Sequence, residues 1–154
     1  MQTADKGFFY QCPNAPTLSA KCRYYLQAQE SNYACDPRLQ SSYYVTAIPL
    51  CNTYCSDWYD ACASDYTCVT NWANWTADTN GAYSCPAGSP CQTFAQRFVN
   101  AEGLCNNLWG GVYTFSTDTT TWCVSGTRFA LGTICTRRTH TYSLPIPTAA
   151  SPSR

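Results

Sequence analysis

Twelve cysteines stand in 154 residues, and the number is even. The chemistry they can do is oxidative crosslinking. Six disulfides fit an oxidising compartment and are hard to keep in a reducing cytosol. Metal ligation fits poorly. No C-x-x-C occurs, and the single histidine, His140, lies in a polar tail, so the spacing of a zinc site is missing. The carboxylates Asp57, Asp60 and Asp65 could be imagined as an acid/base set. No nucleophile elbow, paired histidine, Gly-rich phosphate loop or redox cysteine pair accompanies them, so catalysis is not expected.

Charge narrows the partners. Nine basic and nine acidic residues cancel, which leaves no footprint for nucleic acid or an anionic membrane. No stretch approaches a transmembrane span, and no signal-peptide pattern opens the chain. Twelve tyrosines, six phenylalanines and five tryptophans are more than a core of this size requires. The excess suits a pocket for a flat ligand or a contact surface. Asn74-Trp75-Thr76 is the only N-x-[ST] triplet. In an extracellular, disulfide-bonded chain it predicts an N-glycan at Asn74.

The elements that must position these residues follow from pattern. Thr17 can cap a helix through about Gln29, with Leu18, Cys22, Tyr25 and Leu26 on one stripe. Residues 36–48 read as a polar connection holding the Tyr43-Tyr44 pair. Pro49 opens the next helix, where Cys51, Cys55, Trp58 and Cys62 share one face. Residues 69–88 read as a loop. Ser89-Pro90 starts another helix, with Cys91, Phe94 and Phe98 toward the core. Asn100 caps a short helix through Trp109, stopped by Gly110-Gly111. Residues 112–115 and 121–124 alternate enough to form a short β-pair. The whole suits one α+β domain over residues 1–135, with about four helices and short β-pairs. A Ser/Thr/Pro-rich tail follows over 136–154.

The run Ile48–Thr76 reads I-P-L-C-N-T-Y-C-S-D-W-Y-D-A-C-A-S-D-Y-T-C-V-T-N-W-A-N-W-T. It resembles the folate receptor family, the group that also holds riboflavin-binding protein and the egg receptor Juno. The resemblance extends upstream to Cys12, Cys22 and Tyr33-Ala34-Cys35. Downstream it takes in Cys85, Cys91-Gln92-Thr93-Phe94, Leu104-Cys105-Asn106-Asn107-Leu108-Trp109 and Cys123. It implies a small disulfide-rich globule around a cleft. It implies the pairs Cys12–Cys91, Cys22–Cys62, Cys51–Cys123, Cys55–Cys105 and Cys68–Cys85. Cys35 and Cys135 remain and are expected to pair with each other.

The resemblance also implies a site. Tyr33 and Trp109 match residues lining the family's pterin pocket, and Trp72 and Trp75 match tryptophans at its mouth. Their plainer role is core packing. The position of the family's pterin-gripping aspartate falls on Gln29, and a ligand-holding serine falls on Val112. Two family loops that supply further ligand contacts are shorter here. Folate is therefore disfavoured, and a different flat ligand, such as a flavin or another pterin, stays open. The expected function is a secreted or cell-surface, non-enzymatic module for a small heteroaromatic ligand, with no cofactor. The alternative is an extracellular structural or adhesive protein, acting through self-assembly or an extracellular protein partner.

Overall fold

The computed structural model describes residues 12–36, 47–80 and 82–126. The expected Cys135 bond, the Tyr43-Tyr44 pair and the tail from 136 lie outside the described residues. Within them the order is α1 (Ala20–Cys35), β1 (Ile48–Cys51), α2 (Asn52–Cys62), β2 (Tyr66–Thr67), a 3-10 turn (Trp72–Asn74), β3 (Gln92–Thr93), α3 (Phe94–Phe98), α4 (Ala101–Asn107) and β4 (Tyr113–Ser116). This is the small α+β globule expected from the sequence.

Helix α1 starts later and runs further than its pattern suggested. Its cap is Ser19, not Thr17: the Ser19 hydroxyl accepts from Cys22 N. Asp65 fixes that cap, accepting from both Ser19 N and Ser19 Oγ at 2.8 Å. The helix continues past Gln29 to Cys35 because no breaker intervenes before Pro37, which biases Asp36 to extended backbone. Gln29 and Tyr33 thus become interior helical residues one turn apart, on one face.

Pro49 does not open a helix. It lies in β1, which pairs in parallel with β4, Ile48 opposite Tyr113 through Cys51 opposite Ser116. On the other side of β1, Cys51 N donates to Val124 O and Val124 N to Pro49 O. The donor Pro49 lacks is not needed, since Ile48 N and Cys51 N carry the bonds to the two neighbours. The expected pairing of 112–115 with 121–124 is also corrected. Both segments flank β1, through β4 and the Leu50–Val124 bridge. The helix proper starts at Asn52, with Cys51 as its cap residue. Cys55, Trp58 and Cys62 are fully buried on its inner face.

Ser89-Pro90 does not start a helix either. Gln92-Thr93 pairs antiparallel with Tyr66-Thr67. Thr93 then caps α3 in a reciprocal box with Gln96, which satisfies two orphan donors at once. Phe94 and Phe98 point inward, whereas Cys91 is exposed. Asn100 caps α4 as expected, accepting from Gly103 N at 2.8 Å, although the helix ends at Asn107. Gly110 follows with φ +61°, and a Cβ there would lie 2.8 Å from the Asn71 side chain. Glycine is needed for both reasons.

Five disulfides join these pieces: Cys12–Cys91, Cys22–Cys62, Cys51–Cys123, Cys55–Cys105 and Cys68–Cys85. They are the five pairs implied by the family resemblance. Cys35 is also disulfide-bonded. Cys22–Cys62 ties α1 to α2, and Cys55–Cys105 ties α2 to α4. Each native bond of this kind is worth about 2–4 kcal/mol. The core they enclose is led by Trp58, Trp72, Trp109, Tyr33, Tyr113 and Phe94.

Between α3 and α4 the chain turns on Val99, at φ 71° and ψ −46°. Asn100 N donates to Phe98 O across it at 2.8 Å, closing a γ-turn. That conformation is strained for a β-branched residue. Val99 is 74 % exposed, so its side chain returns little packing. Val99→Gly should therefore stabilise the fold by about 1 kcal/mol, read as a raised thermal midpoint. A lowered midpoint would show that the turn is not strained.

Candidate ligand-binding site

Helix α1 brings Gln29 to Trp109, just past α4, and to Tyr113 at the start of β4. Gln29 and Tyr33 are both 0 % exposed, and Trp109 is 2 % exposed. The Trp109 indole N–H donates to Gln29 Oε1 at 2.6 Å. The Tyr113 hydroxyl donates to the Gln29 backbone carbonyl at 2.9 Å. Gln29 Nε2 is buried without a hydrogen-bond partner. Tyr54 stands close by. Burial pushes its phenol pKa up, a side-chain hydrogen bond with the Gln29 amide opposes that shift, and its hydroxyl donates to Tyr25 O at 3.4 Å. Val112, 5 % exposed, adds an apolar wall.

Trp72 and Trp75 lie deeper than residues at a pocket mouth. Trp72 is 0 % exposed, with its indole N–H donating to Val69 O at 2.9 Å and to Thr67 Oγ1 at 3.3 Å. Trp75 donates to Ser84 O at 3.0 Å. Trp72 meets Trp109, Trp75 and Phe94 edge to face at 5.9, 5.9 and 6.0 Å. The interior is thus a continuous aromatic chain, with Gln29 as the polar group at its Trp109 end. Edge-to-face pairs of this kind add about 0.5–1.5 kcal/mol each beyond their buried area.

Glu30 follows Gln29 and is partly buried. Burial raises its carboxyl to about 7, because a charged carboxylate is poorly solvated there. Asp57 and Asp60 are exposed on α2, and Asp65 is engaged in capping α1. Asn74 and Thr76 are exposed on either side of buried Trp75, so the glycosylation triplet presents its acceptor outward.

A cavity away from the Gln29 cluster escaped the sequence reading. It is a cavity of about 520 Å³ lined by Cys12, Pro13, Pro16, Tyr66, Ser89 and Cys91, among others. It shares no residue with the Gln29 cluster. The Ser89 hydroxyl is already bonded to the Cys68 carbonyl. The sulfurs of Cys12, Cys68, Cys85 and Cys91 lie within 4.8 Å of one another. They are paired as two disulfides and have no thiolate to offer a metal. The signal for this cavity lay in the Pro13/Pro16 arm, which pattern reading gives no partner.

No helix among the described residues is long and apolar enough to cross a membrane. Two riboflavin-binding proteins match the chain. The one from Dromaius novaehollandiae is 32 % identical over 100 residues, covering 60 % of this chain and 41 % of that protein. The one from Gallus gallus is 31 % identical over 102 residues, with the same coverage. Folate receptor gamma of Homo sapiens is 42 % identical over 65 residues, covering 40 % of this chain and 25 % of that protein. The chain thus spans about two fifths of the length of the riboflavin-binding proteins it matches. Residues 3–126 match the profile of the folate receptor family, and the chain belongs to that family.

Proposed function

We propose that this chain is a non-enzymatic binding module, secreted or held at the cell surface. It takes a small heteroaromatic molecule against Tyr33 and Trp109, with Gln29 as the polar contact and Trp72 and Trp75 as rigid backing. One observation carries this reading: a fully buried amide among aromatic rings, with one end engaged and the other open. A buried polar group without a partner is costly, and a ligand edge would supply one. The relatives named for riboflavin and folate make flat vitamins the natural probes. Folate is the poorer fit, since the wall at Val112 is apolar. The disulfides fit an oxidising, extracellular destination.

Native mass spectrometry on protein from its natural source tests this directly. A monomer carrying a small molecule supports the module. Riboflavin quenching then maps the wall. Tyr33→Leu keeps bulk but removes a stacking face, and should weaken binding by about 1 kcal/mol. Equal affinity in the variant would remove Tyr33 from the site.

A second reading, an extracellular structural or adhesive protein that has lost vitamin binding, has its own support. Tyr33, Trp72, Trp75 and Trp109 are all at most 5 % exposed, so the rings pack tightly. An empty oligomer in the same experiment would favour it. Either reading includes an N-glycan at Asn74. Digestion with a peptide N-glycosidase should lower the mass by one glycan, and Asn74→Gln should abolish that shift. A wild-type mass unchanged by the enzyme would exclude the glycan.

A further inference from the structure

Two disulfides meet at one point, away from the Gln29 cluster. β2 and β3 place Thr67 opposite Gln92, so the next residues along the ladder, Cys68 and Cys91, leave it side by side. The Ser89 hydroxyl, bonded to the Cys68 carbonyl, ties the same two segments together. Cys68 is bonded to Cys85 and Cys91 to Cys12, which gathers four sulfurs within 4.8 Å of one another. Across the two bonds, Cys85 Sγ lies 3.5 Å from Cys91 Sγ. Exposure separates this cluster from the deeper crosslinks. Cys91 is exposed and Cys85 half-buried, and both line the cavity of about 520 Å³ beside Pro13, Pro16 and Tyr66. Cys22–Cys62 and Cys55–Cys105 are 0 % exposed at both ends.

We propose that this cavity is a thiol–disulfide exchange site, where a small thiol opens Cys12–Cys91 and re-pairs the cluster as Cys12–Cys68 and Cys85–Cys91. The thiol gives its proton to solvent, and its thiolate attacks the exposed Cys91 Sγ. A mixed disulfide forms at Cys91, the Cys12–Cys91 bond breaks, and Cys12 leaves as a thiolate with the electron pair. Cys12 attacks Cys68 Sγ, which breaks Cys68–Cys85 and releases the Cys85 thiolate. Cys85 attacks the neighbouring Cys91 Sγ and expels the small thiolate, which takes back a proton. Two disulfides enter and two leave, so no oxidant or reductant is consumed. The β2–β3 ladder and the Ser89 hydrogen bond keep the segments together while the bonds change. The swap moves the tie of the Pro13/Pro16 arm from Cys91 to Cys68, and so alters one wall of the cavity.

Glutathione is the probe for the intact protein. Incubation at mildly alkaline pH raises the thiolate fraction, and acid then stops exchange. Non-reducing peptide mapping should show a Cys85–Cys91 link, with Cys22–Cys62 and Cys55–Cys105 unchanged. Original pairs alone, or an adduct that never resolves to this link, overturn the proposal. Adducts formed equally at the fully buried cysteines also overturn it, since the protein would then be opening by global unfolding. Cys12→Ser reads the internal step with no added thiol. It leaves a thiol on Cys91 beside Cys85 Sγ, and attack there forms Cys85–Cys91 and frees Cys68. Acid quenching followed by N-ethylmaleimide in denaturant should find label at Cys68 as well as Cys91. Label confined to Cys91 in the folded variant overturns exchange within the cluster. If the variant does not fold, the glutathione result on the wild type decides alone.

Discussion

Gly103→Ala should destabilise the protein by about 3 kcal/mol, against the usual direction for a helix. In a helix interior this change ordinarily gains close to 1 kcal/mol. Here a Cβ on Gly103 would sit on the Phe98 carbonyl oxygen, with the Phe98 carbonyl carbon at 3.3 Å and Asn100 Oδ1 at 3.4 Å. That oxygen cannot step aside freely, because it accepts from Asn100 N across the γ-turn. Asn100 in turn caps α4 through Gly103 N. Relieving the clash breaks the turn or the cap, and overpacking of this kind costs about 1–3 kcal/mol before the cap is counted. Chemical denaturation with disulfides intact measures it. A neutral or stabilising result would mean that the α3–α4 corner is looser than its hydrogen bonds indicate.

That corner shows where sequence reading stops. Asn100 as a cap was legible, since its side chain acts on the local backbone alone. The closeness of α3 to α4, which makes glycine obligatory at 103, has no local signal. The same division runs through the fold. The inward face of α2 was visible as Cys55, Trp58 and Cys62, because helical spacing is a property of neighbours in sequence. The parallel pairing of β1 with β4 was not, because its strands are brought together from distant parts of the chain and one contains Pro49. A proline before an amphipathic run reads as a helix start, and only the position of Val124 explains why it is tolerated in a strand.

The disulfide framework came from family resemblance, since spacing alone leaves many connectivities open. For the candidate site, residue types were legible and depth was not. Tyr33, Trp72, Trp75 and Trp109 stood out as rings that could stack. Their order along the interior, and the use of each tryptophan N–H on the protein itself, depend on how loop 69–88 folds over the end of α4. Trp72 N donating to Leu108 O at 2.7 Å is the contact that fixes this. Gln29 stood out only as a departure from the family's acid. Its side-chain oxygen is met by Trp109, eighty residues away in sequence.

Glu30→Gln should stabilise the protein by about 2–3 kcal/mol at pH 8 and have little effect near pH 4. The native carboxyl is raised to about 7 by burial, against an unfolded value near 4.3. Between these values the folded chain keeps a proton that the unfolded chain has released. Stability therefore falls as pH rises through that window. The contribution of the protonated carboxyl is fully present below the unfolded value and is lost as pH passes the folded one. Above about pH 7 the folded state holds a poorly solvated charge, and glutamine removes it while keeping the shape. Unfolding curves of both proteins across this range should diverge with rising pH, with the wild type the more pH-dependent. Parallel unfolding curves at every pH would show that the Glu30 carboxyl is well solvated and carries no such penalty.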